Sequence, residues 1–156
     1  MTTTSWDIRN DDLSSHATRD LVRFHLEAMH AQSPPECVFA LDLSGLTAPN
    51  VAVWTAWQGE KIAGIGALKN LGDGTGELKS MRTHANFLRQ GVATVLLEHI
   101  IAVARGKGMT RLSLETGSGS YFEPAILLYR RRGFVDGEPF AEYQRSAFNQ
   151  FLHLPL

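Results

Sequence analysis

The residues best suited to chemistry form a short turn, Arg89-Gln90-Gly91-Val92-Ala93-Thr94, between a predicted strand and a predicted helix. The first N–H groups of a helix have no partner within the helix, and the helix dipole adds partial positive charge beside them. Arg89 adds a cation there, and Gln90 adds a further donor. This turn is therefore predicted to bind an anion, most often a phosphate.

Three other side chains are candidates for moving protons. Glu77 opens the strand before the turn, Glu115 ends a later strand, and Tyr129 lies in a predicted helix. A carboxylate can take a proton from an amine, directly or through water, and a phenol can donate one. Each carboxylate is equally readable as a surface group or as a structural partner of a nearby lysine or arginine. The tyrosine is equally readable as a residue packed on an amphipathic helix.

The strand over residues 77–84 alternates, and the helix that follows carries apolar residues at helical spacing from Val92 to Val103. In a regular strand, alternation gives two faces: Glu77, Lys79, Met81 and Thr83 on one, and Leu78, Ser80 and Arg82 on the other. Glu77 would then share its face with Met81, which makes it the first candidate for a base. Glu115 is its rival.

The remaining pattern predicts a mixed sheet. Hairpin turns at Gln58-Gly59-Glu60 and at residues 72–76 join three antiparallel strands, and the crossover helix leads to a parallel strand over residues 110–116. Further elements are predicted as strands at residues 5–10, around Tyr143 and at 151–154, and as helices at 16–30, 40–46 and 124–132. The fold class is α/β (α+β), with a mostly antiparallel sheet of six to seven strands and about four helices.

Length and charge set limits on the rest. The 156 residues suit one domain, 1–156, and 15 Lys plus Arg against 16 Asp plus Glu give a net charge of -1. That balance offers no long-range attraction to nucleic acid or to an anionic membrane. Cys37 is the single cysteine, residues 1–6 lack the pattern of a signal peptide, and no ligand spacing indicates a metal. A cytoplasmic protein is expected.

Two motifs carry a family resemblance. Arg89-Gln90-Gly91-Val92-Ala93 resembles the pyrophosphate-binding signature of the GCN5-related N-acetyltransferase (GNAT) superfamily, which reads Arg or Gln, two residues, Gly, one residue, then Gly or Ala. The chain keeps the Gly-x-Ala part and departs at the first position, which is Leu88. Leu128-Tyr129, three residues and Gly133-Phe134 resemble the superfamily's fourth helix. Glu115-Thr116-Gly117 and residues 139–143 are similar to an uncharacterised bacterial branch.

The resemblance implies acetyl-CoA as cosubstrate, no metal, and acetyl transfer to an amine by direct attack in a ternary complex. It implies that coenzyme contacts come from Met81, Arg82, Thr83, Arg89, Gln90, Gly91, Val92, Ala93, Thr94, Phe122, Ala125 and Tyr129. Tyr129 would protonate the leaving sulfur, and Glu77 or Glu115 would serve the amine. The acceptor would be a small-molecule amine, an amino acid or a peptide N-terminus. Exposed strand edges near the C-terminus favour a homodimer.

Two other classes of function stay open at this point. A non-catalytic acyl-CoA-binding or sensing module would keep the turn at Gly91 but release no CoA in the presence of amines. A nucleotide-binding domain would use Gly117-x-Gly119 as its turn, although the third glycine of that motif is missing. Such a domain would prefer ADP or NAD to CoA.

Overall fold

The sheet is the centre of the computed structural model, which describes residues 5–156. In this part of the chain seven strands pair in the order β1-β2-β3-β4-β5-β7-β6, and only the β4–β5 pair is parallel. The strands are β1 (Asp7–Asn10), β2 (Val51–Gln58), β3 (Lys61–Asn70), β4 (Gly76–Thr83), β5 (Arg111–Thr116), β6 (Val135–Asp136) and β7 (Gln150–Pro155). The predicted mixed sheet is confirmed.

Four α-helices occur in residues 5–156: α1 (His16–Gln32), α2 (Leu43–Leu46), α3 (Val92–Gly106) and α4 (Glu123–Arg132). Local chemistry fixes their ends. The Ser15 side chain accepts a hydrogen bond from the Thr18 N–H and caps α1. Gly133 ends α4 with a φ of 111°, as the glycine after Arg132 predicts. No helix within residues 5–156 is both long enough and apolar enough to cross a bilayer.

The helices cover the two faces of the sheet. On one face α3 packs through Leu96, Leu97, Ile100 and Ile101, together with Leu112 and Leu114 of β5. On the other face α1 packs through Leu21 and Val22, against residues that include Ile65 and Ala67 of β3. These faces are called the α3 face and the α1 face below.

Strands β4 and β5 pair only at one end. Gly76 lies opposite Leu112 and Glu77 opposite Ser113, and beyond this point β4 pairs with β3 alone. The main-chain groups of β4 from Leu78 to Thr83 that face β5 therefore have no ladder partner on that side. An extended ligand can bind such an edge as an added strand.

A β-bulge interrupts β4 at Ser80. Ala67 pairs with Lys79 and Ile65 with Arg82, so Ser80 and Met81 together lie opposite Gly66. Ser80 has a φ of 58°, which is uncommon for a residue with a side chain. The bulge thus inserts one extra residue into the strand.

The bulge makes part of the predicted alternation wrong. Opposite residues of an antiparallel pair lie on the same face, so Lys79 lies on the α1 face with Ala67, and Arg82 lies there with Ile65. Met81 lies on the α3 face, because a Cβ on Gly66 would meet Met81 Sδ at 2.7 Å and Ile100 Cδ1 at 2.9 Å. Glu77 and Met81 are consequently on opposite faces.

Most other predicted elements are confirmed within a few residues, with one exception. No strand forms around Tyr143, which lies in the turn-rich connection between β6 and β7. The strand that completes this edge is instead Val135–Asp136, directly after α4. Residues 1–6 lack the pattern of a signal peptide, and residues 1–4 of this segment lie outside the described part of the chain.

Candidate active site

One cavity of about 800 Å³ gathers nearly all of the predicted site residues. It extends from the N-terminus of α3, along β4, to the end of β5 and the start of α4. Its lining includes Glu77, Met81, Arg82, Thr83, Arg89, Gly91, Val92, Ala93, Thr94, Glu115, Phe122, Ala125 and Tyr129. Gln90 is exposed and does not line the cavity.

The N-terminus of α3 opens into this cavity. Gly91 is the N-cap residue with a φ of 87°, and its carbonyl accepts the first helical hydrogen bond, from the Val95 N–H at 3.1 Å. Within residues 5–156 no side chain caps this end, so the N–H groups of Val92, Ala93 and Thr94 have no intrahelical or capping partner there. A Cβ on Gly91 would meet nothing within 4 Å. The geometry is that of an anion site with Arg89 beside it.

Tyr129 lines the cavity and is 6% exposed. Its ring packs against Phe134, with the ring centroids 5.7 Å apart. Within residues 5–156 no protein group forms a hydrogen bond with its hydroxyl, although a buried tyrosine usually finds a partner. Burial raises the pKa of this phenol well above its ordinary value, while Arg82 opposes that shift.

Glu77 takes part in a buried ion pair. Its Oε2 accepts hydrogen bonds from Lys79 Nζ at 3.1 Å and from the Tyr143 hydroxyl at 2.5 Å. The Lys79 and Glu77 side chains are 8% and 2% exposed, and Lys79 Nζ also donates to the Tyr143 hydroxyl at 2.8 Å. The carboxylate is thus held by a cation and a phenol, as the structural interpretation of Glu77 predicts.

This ion pair allows a stability prediction. Lys79→Met would leave the Glu77 carboxylate buried without its cation, and we expect the free energy of unfolding in urea to fall by about 3–5 kcal/mol. The double variant Glu77→Gln with Lys79→Met should recover most of the loss, because glutamine still accepts from Tyr143. Lys61→Met, at an exposed position, is the matched control. Equal stability of Lys79→Met and Lys61→Met would contradict this prediction.

Glu115 is a carboxyl group whose pKa is strongly raised by its surroundings. Burial raises its pKa from 4.5 to about 7, the Lys79 ammonium and the Asn149 side chain oppose the shift, and the Glu77 carboxylate adds to it. Because Glu77 lies opposite Ser113 in the parallel pair, Glu115 lies on the same face of the sheet as Glu77 and Lys79. A carboxyl group that titrates near neutral pH is suited to act as a base.

Arg82 connects α1 to the loop before α4. Its Nε donates to His25 Nδ1 at 3.0 Å, and its Nη1 donates to the Tyr121 hydroxyl at 2.9 Å. Burial, with the charges of Arg82 and Lys79, lowers the pKa of His25 to about 3. His25 is therefore neutral at physiological pH and accepts a hydrogen bond from the guanidinium.

Sequence reasoning did not find every residue of this site. His25 is not among the candidates that the sequence indicates, and the structure shows it buried and bound to Arg82. Tyr143 carries no usable signal, because it reaches Glu77 from an irregular segment 66 residues away. Of the three arginines that end α4, Arg130 pairs with Asp136 and Arg132 with Glu98, while Arg131 lines the cavity.

Several known proteins are similar to this chain in sequence or in fold. An uncharacterised N-acetyltransferase of Escherichia coli (strain K12), YedL, is 50% identical over 149 residues, which cover 96% of this chain and 94% of the relative. The crystal structure of an acyl-CoA N-acyltransferase from Klebsiella pneumoniae superposes with a TM-score of 0.77 at 25% identity and covers 97% of each chain. An acetyltransferase of Bacillus subtilis in complex with CoA superposes with a TM-score of 0.63 at 18% identity, over 97% of this chain and 99% of that one.

The sequence family of the chain defines an acyltransferase. Residues 13–134 match the sequence profile of the acetyltransferase (GNAT) family. This match covers most of the chain, and the chain belongs to that family. It is an N-acetyltransferase, and the predicted family is confirmed.

Proposed function

We propose that the protein transfers an acetyl group from acetyl-CoA to an amine by direct attack in a ternary complex. The observation that supports this best is the single cavity that joins the N-terminus of α3, the unpaired edge of β4, Glu115 and Tyr129. Those four features serve, in turn, to bind a pyrophosphate, to hold an extended arm, to accept a proton and to donate a hydrogen bond to the leaving sulfur. The Bacillus subtilis neighbour solved with CoA supports the choice of donor.

The chain's own groups fit such a donor. The N–H groups of Val92, Ala93 and Thr94 and the Arg89 guanidinium would hold the pyrophosphate, which carries negative charge. The free main-chain groups of Met81, Arg82 and Thr83 would bind the pantetheine arm as an added strand. Phe122 and Ala125 line the same cavity beside Tyr129 and would enclose the thiol end.

Glu115 is the base that the contacts favour over Glu77. An alkyl amine with a pKa near 10 is only about 0.1% neutral at pH 7, so removal of its proton assists attack. Glu115 has a pKa of about 7, whereas the Glu77 carboxylate is already bound by Lys79 and Tyr143. Glu115 would take the amine proton, directly or through water, while the new C–N bond forms and the C–S bond breaks.

Tyr129 would serve the departing sulfur. Its raised pKa keeps the phenol protonated throughout the neutral range. The same shift makes complete transfer to a thiolate, with a pKa near 8.5, unfavourable. Tyr129 therefore acts mainly as a hydrogen-bond donor to the negative charge that develops on sulfur.

The donor site can be tested by calorimetric titration with acetyl-CoA, CoA and ADP. We expect micromolar binding of acetyl-CoA to the unmodified protein and loss of measurable binding in Gly91→Trp, because the indole would fill the space in front of the α3 N–H groups. Gly72→Trp is the matched control. Gly72 has a φ of 83° and, like Gly91, an open Cβ direction, but it lies in the turn between β3 and β4.

The outcomes separate the alternatives. Binding of acetyl-CoA without any amine-dependent release of CoA would favour a non-catalytic acyl-CoA-binding or sensing module. Preference for ADP, or equal binding by Gly91→Trp and Gly72→Trp, would overturn the proposed donor site.

Four further expectations remain part of this proposal. Residues 1–156 form one acetyltransferase domain, and the single cysteine supports a cytoplasmic location. The reaction is expected to use no metal, as the family resemblance implies. The exposed edge at Val135, which is 57% exposed, supports a homodimer.

A further inference from the structure

The Arg82 guanidinium lines the cavity and has no charged partner among residues 5–156. Its two bound groups, the His25 imidazole and the Tyr121 hydroxyl, are both neutral acceptors. The ion pairs formed within residues 5–156 do not include Arg82, whereas Lys79 on the same strand is paired with Glu77. A partly buried cation held by neutral groups keeps its full attraction for an anion.

The guanidinium is also oriented so that one edge stays available. Nε is used by His25, and one of the two Nη1 hydrogens is used by Tyr121. The second Nη1 hydrogen and both Nη2 hydrogens have no acceptor in the described part of the chain. The Nη1 and Nη2 groups form a fork that matches the two oxygens of a carboxylate.

Apolar rings surround this fork. The Arg82 Cζ atom lies 5.7 Å from the centroid of the Phe24 ring and 5.9 Å from that of Tyr121. Both rings border the cavity, and they are unusually exposed for aromatic residues, at 46% for Phe24 and 40% for Tyr121. An apolar group next to a bound carboxylate would cover them.

The bulge in β4 places Arg82 on the α1 face of the sheet, which is also the face of Glu115. The N-terminus of α3 and the residue Met81 lie towards the opposite face. The cavity therefore has a region on the α1 face that combines a carboxylate-binding fork, apolar rings and a carboxylate able to act as a base.

From this juxtaposition, and resting on the proposed acetyltransferase function, we propose that the acceptor is an amino acid with an apolar side chain. Its carboxylate binds the Arg82 fork, its side chain packs on Phe24 and Tyr121, and its amine faces Glu115. A peptide N-terminus is disfavoured, because its first carboxyl group is part of an amide bond and carries no charge.

The test compares phenylalanine with phenylalaninamide and phenethylamine, which both lack the carboxylate, and each rate is expressed per neutral amine because the three amine pKa values differ. CoA release is followed with a thiol reagent at saturating acetyl-CoA. We expect kcat/KM for phenylalanine to exceed that for the amide and for the amine by at least about 30-fold, since two charge-assisted hydrogen bonds are lost with the carboxylate. In Arg82→Gln the three values should converge, and Arg82→Lys should recover only part of the preference.

Arg105→Gln is the matched control, because Arg105 is exposed in the last turn of α3, far along the helix from the cavity end. It should keep the selectivity of the unmodified protein. A binding measurement gives a second readout: N-acetylphenylalanine should bind the CoA-loaded protein in calorimetry, at least about 10-fold more weakly in Arg82→Gln.

Failure of this inference can be told apart from failure of the proposed function. Equal or faster acetylation of phenylalaninamide or phenethylamine would overturn the amino-acid acceptor and leave acetyl transfer in place. Acetyl-CoA binding with no acetylation of any of the three amines would instead favour the non-catalytic module described above. Absence of acetyl-CoA binding in the calorimetric titration described above would instead remove the proposed donor and with it the transferase reaction.

Discussion

Tyr129→Phe should lower kcat for amine acetylation by about 10²–10³-fold, the usual cost of removing one hydrogen-bond donor aimed at developing charge. The hydroxyl has no partner within residues 5–156, so its removal breaks no protein hydrogen bond, and phenylalanine fits the same space. Acetyl-CoA affinity in calorimetry and the thermal unfolding midpoint should therefore stay close to those of the unmodified protein.

The pH dependence gives a check on this assignment. Because burial raises the pKa of Tyr129 far above the neutral range, the hydroxyl stays protonated from about pH 6 to about pH 9, and the rate deficit of the variant should be constant over that interval. Unchanged kcat, or a deficit that appears only as weaker acetyl-CoA binding, would remove Tyr129 from the chemical step.

Glu115→Gln should lower kcat/KM for the acceptor by about 10²-fold or more at neutral pH, which is the usual contribution of a positioned base. In the unmodified protein, activity should rise through the pKa of about 7, since only the deprotonated carboxylate accepts a proton. The variant should lose that rise. Glu60→Gln, at an exposed turn position, is the matched control and should keep the profile.

Glu115→Gln should lower activity but raise the stability of the folded protein at alkaline pH. The Glu115 pKa is 4.5 in a solvated chain and about 7 in the folded protein, so between these values the folded state holds a proton that the unfolded state has lost. Stability therefore falls as pH rises through this window and stays lower above it. Glutamine removes that loss, so Glu115→Gln should unfold at a higher temperature than the unmodified protein at pH 8, with no such gain near pH 4.

A Glu115→Gln protein that lost activity but kept the pH profile would show that another group is the base. Glu77 would then be the first residue to test, since it lines the same cavity. A lower unfolding temperature at pH 8 would mean that the carboxylate is stabilised by its neighbours instead of being strained by burial.

The parts of the site that sequence could predict are those fixed by neighbouring residues. Gly91 adopts a left-handed conformation and starts α3, which follows from a glycine placed between a strand and an amphipathic run. Tyr129 faces the core and Gly133 ends its helix, both of which follow from helical spacing and capping chemistry. Such features depend on a few adjacent residues and are readable in a single chain.

The parts that sequence could not predict depend on distant contacts. The predicted strand around Tyr143 does not form, and the position of this tyrosine depends instead on packing against Phe39 and on its hydrogen bond to Glu77. The alternation of β4 predicts a regular strand and gives no sign of the bulge. The bulge depends on the pairing of Ser80 and Met81 with one glycine on β3, which is distant in sequence. His25 accepts a hydrogen bond from Arg82 only because α1 packs on the face of the sheet where the Arg82 side chain lies.

The bulge at Ser80 divides β4 into two parts that differ in parity. Up to Lys79 the odd-numbered residues lie on the α1 face, and from Met81 the even-numbered residues do so. The unpaired residue of the bulge thus determines which side chains after Ser80 face the donor and which face the acceptor. A relative with the same residue types in β4 but a regular strand would turn its arginine towards α3, so two enzymes could share this sequence stretch and still accept different substrates.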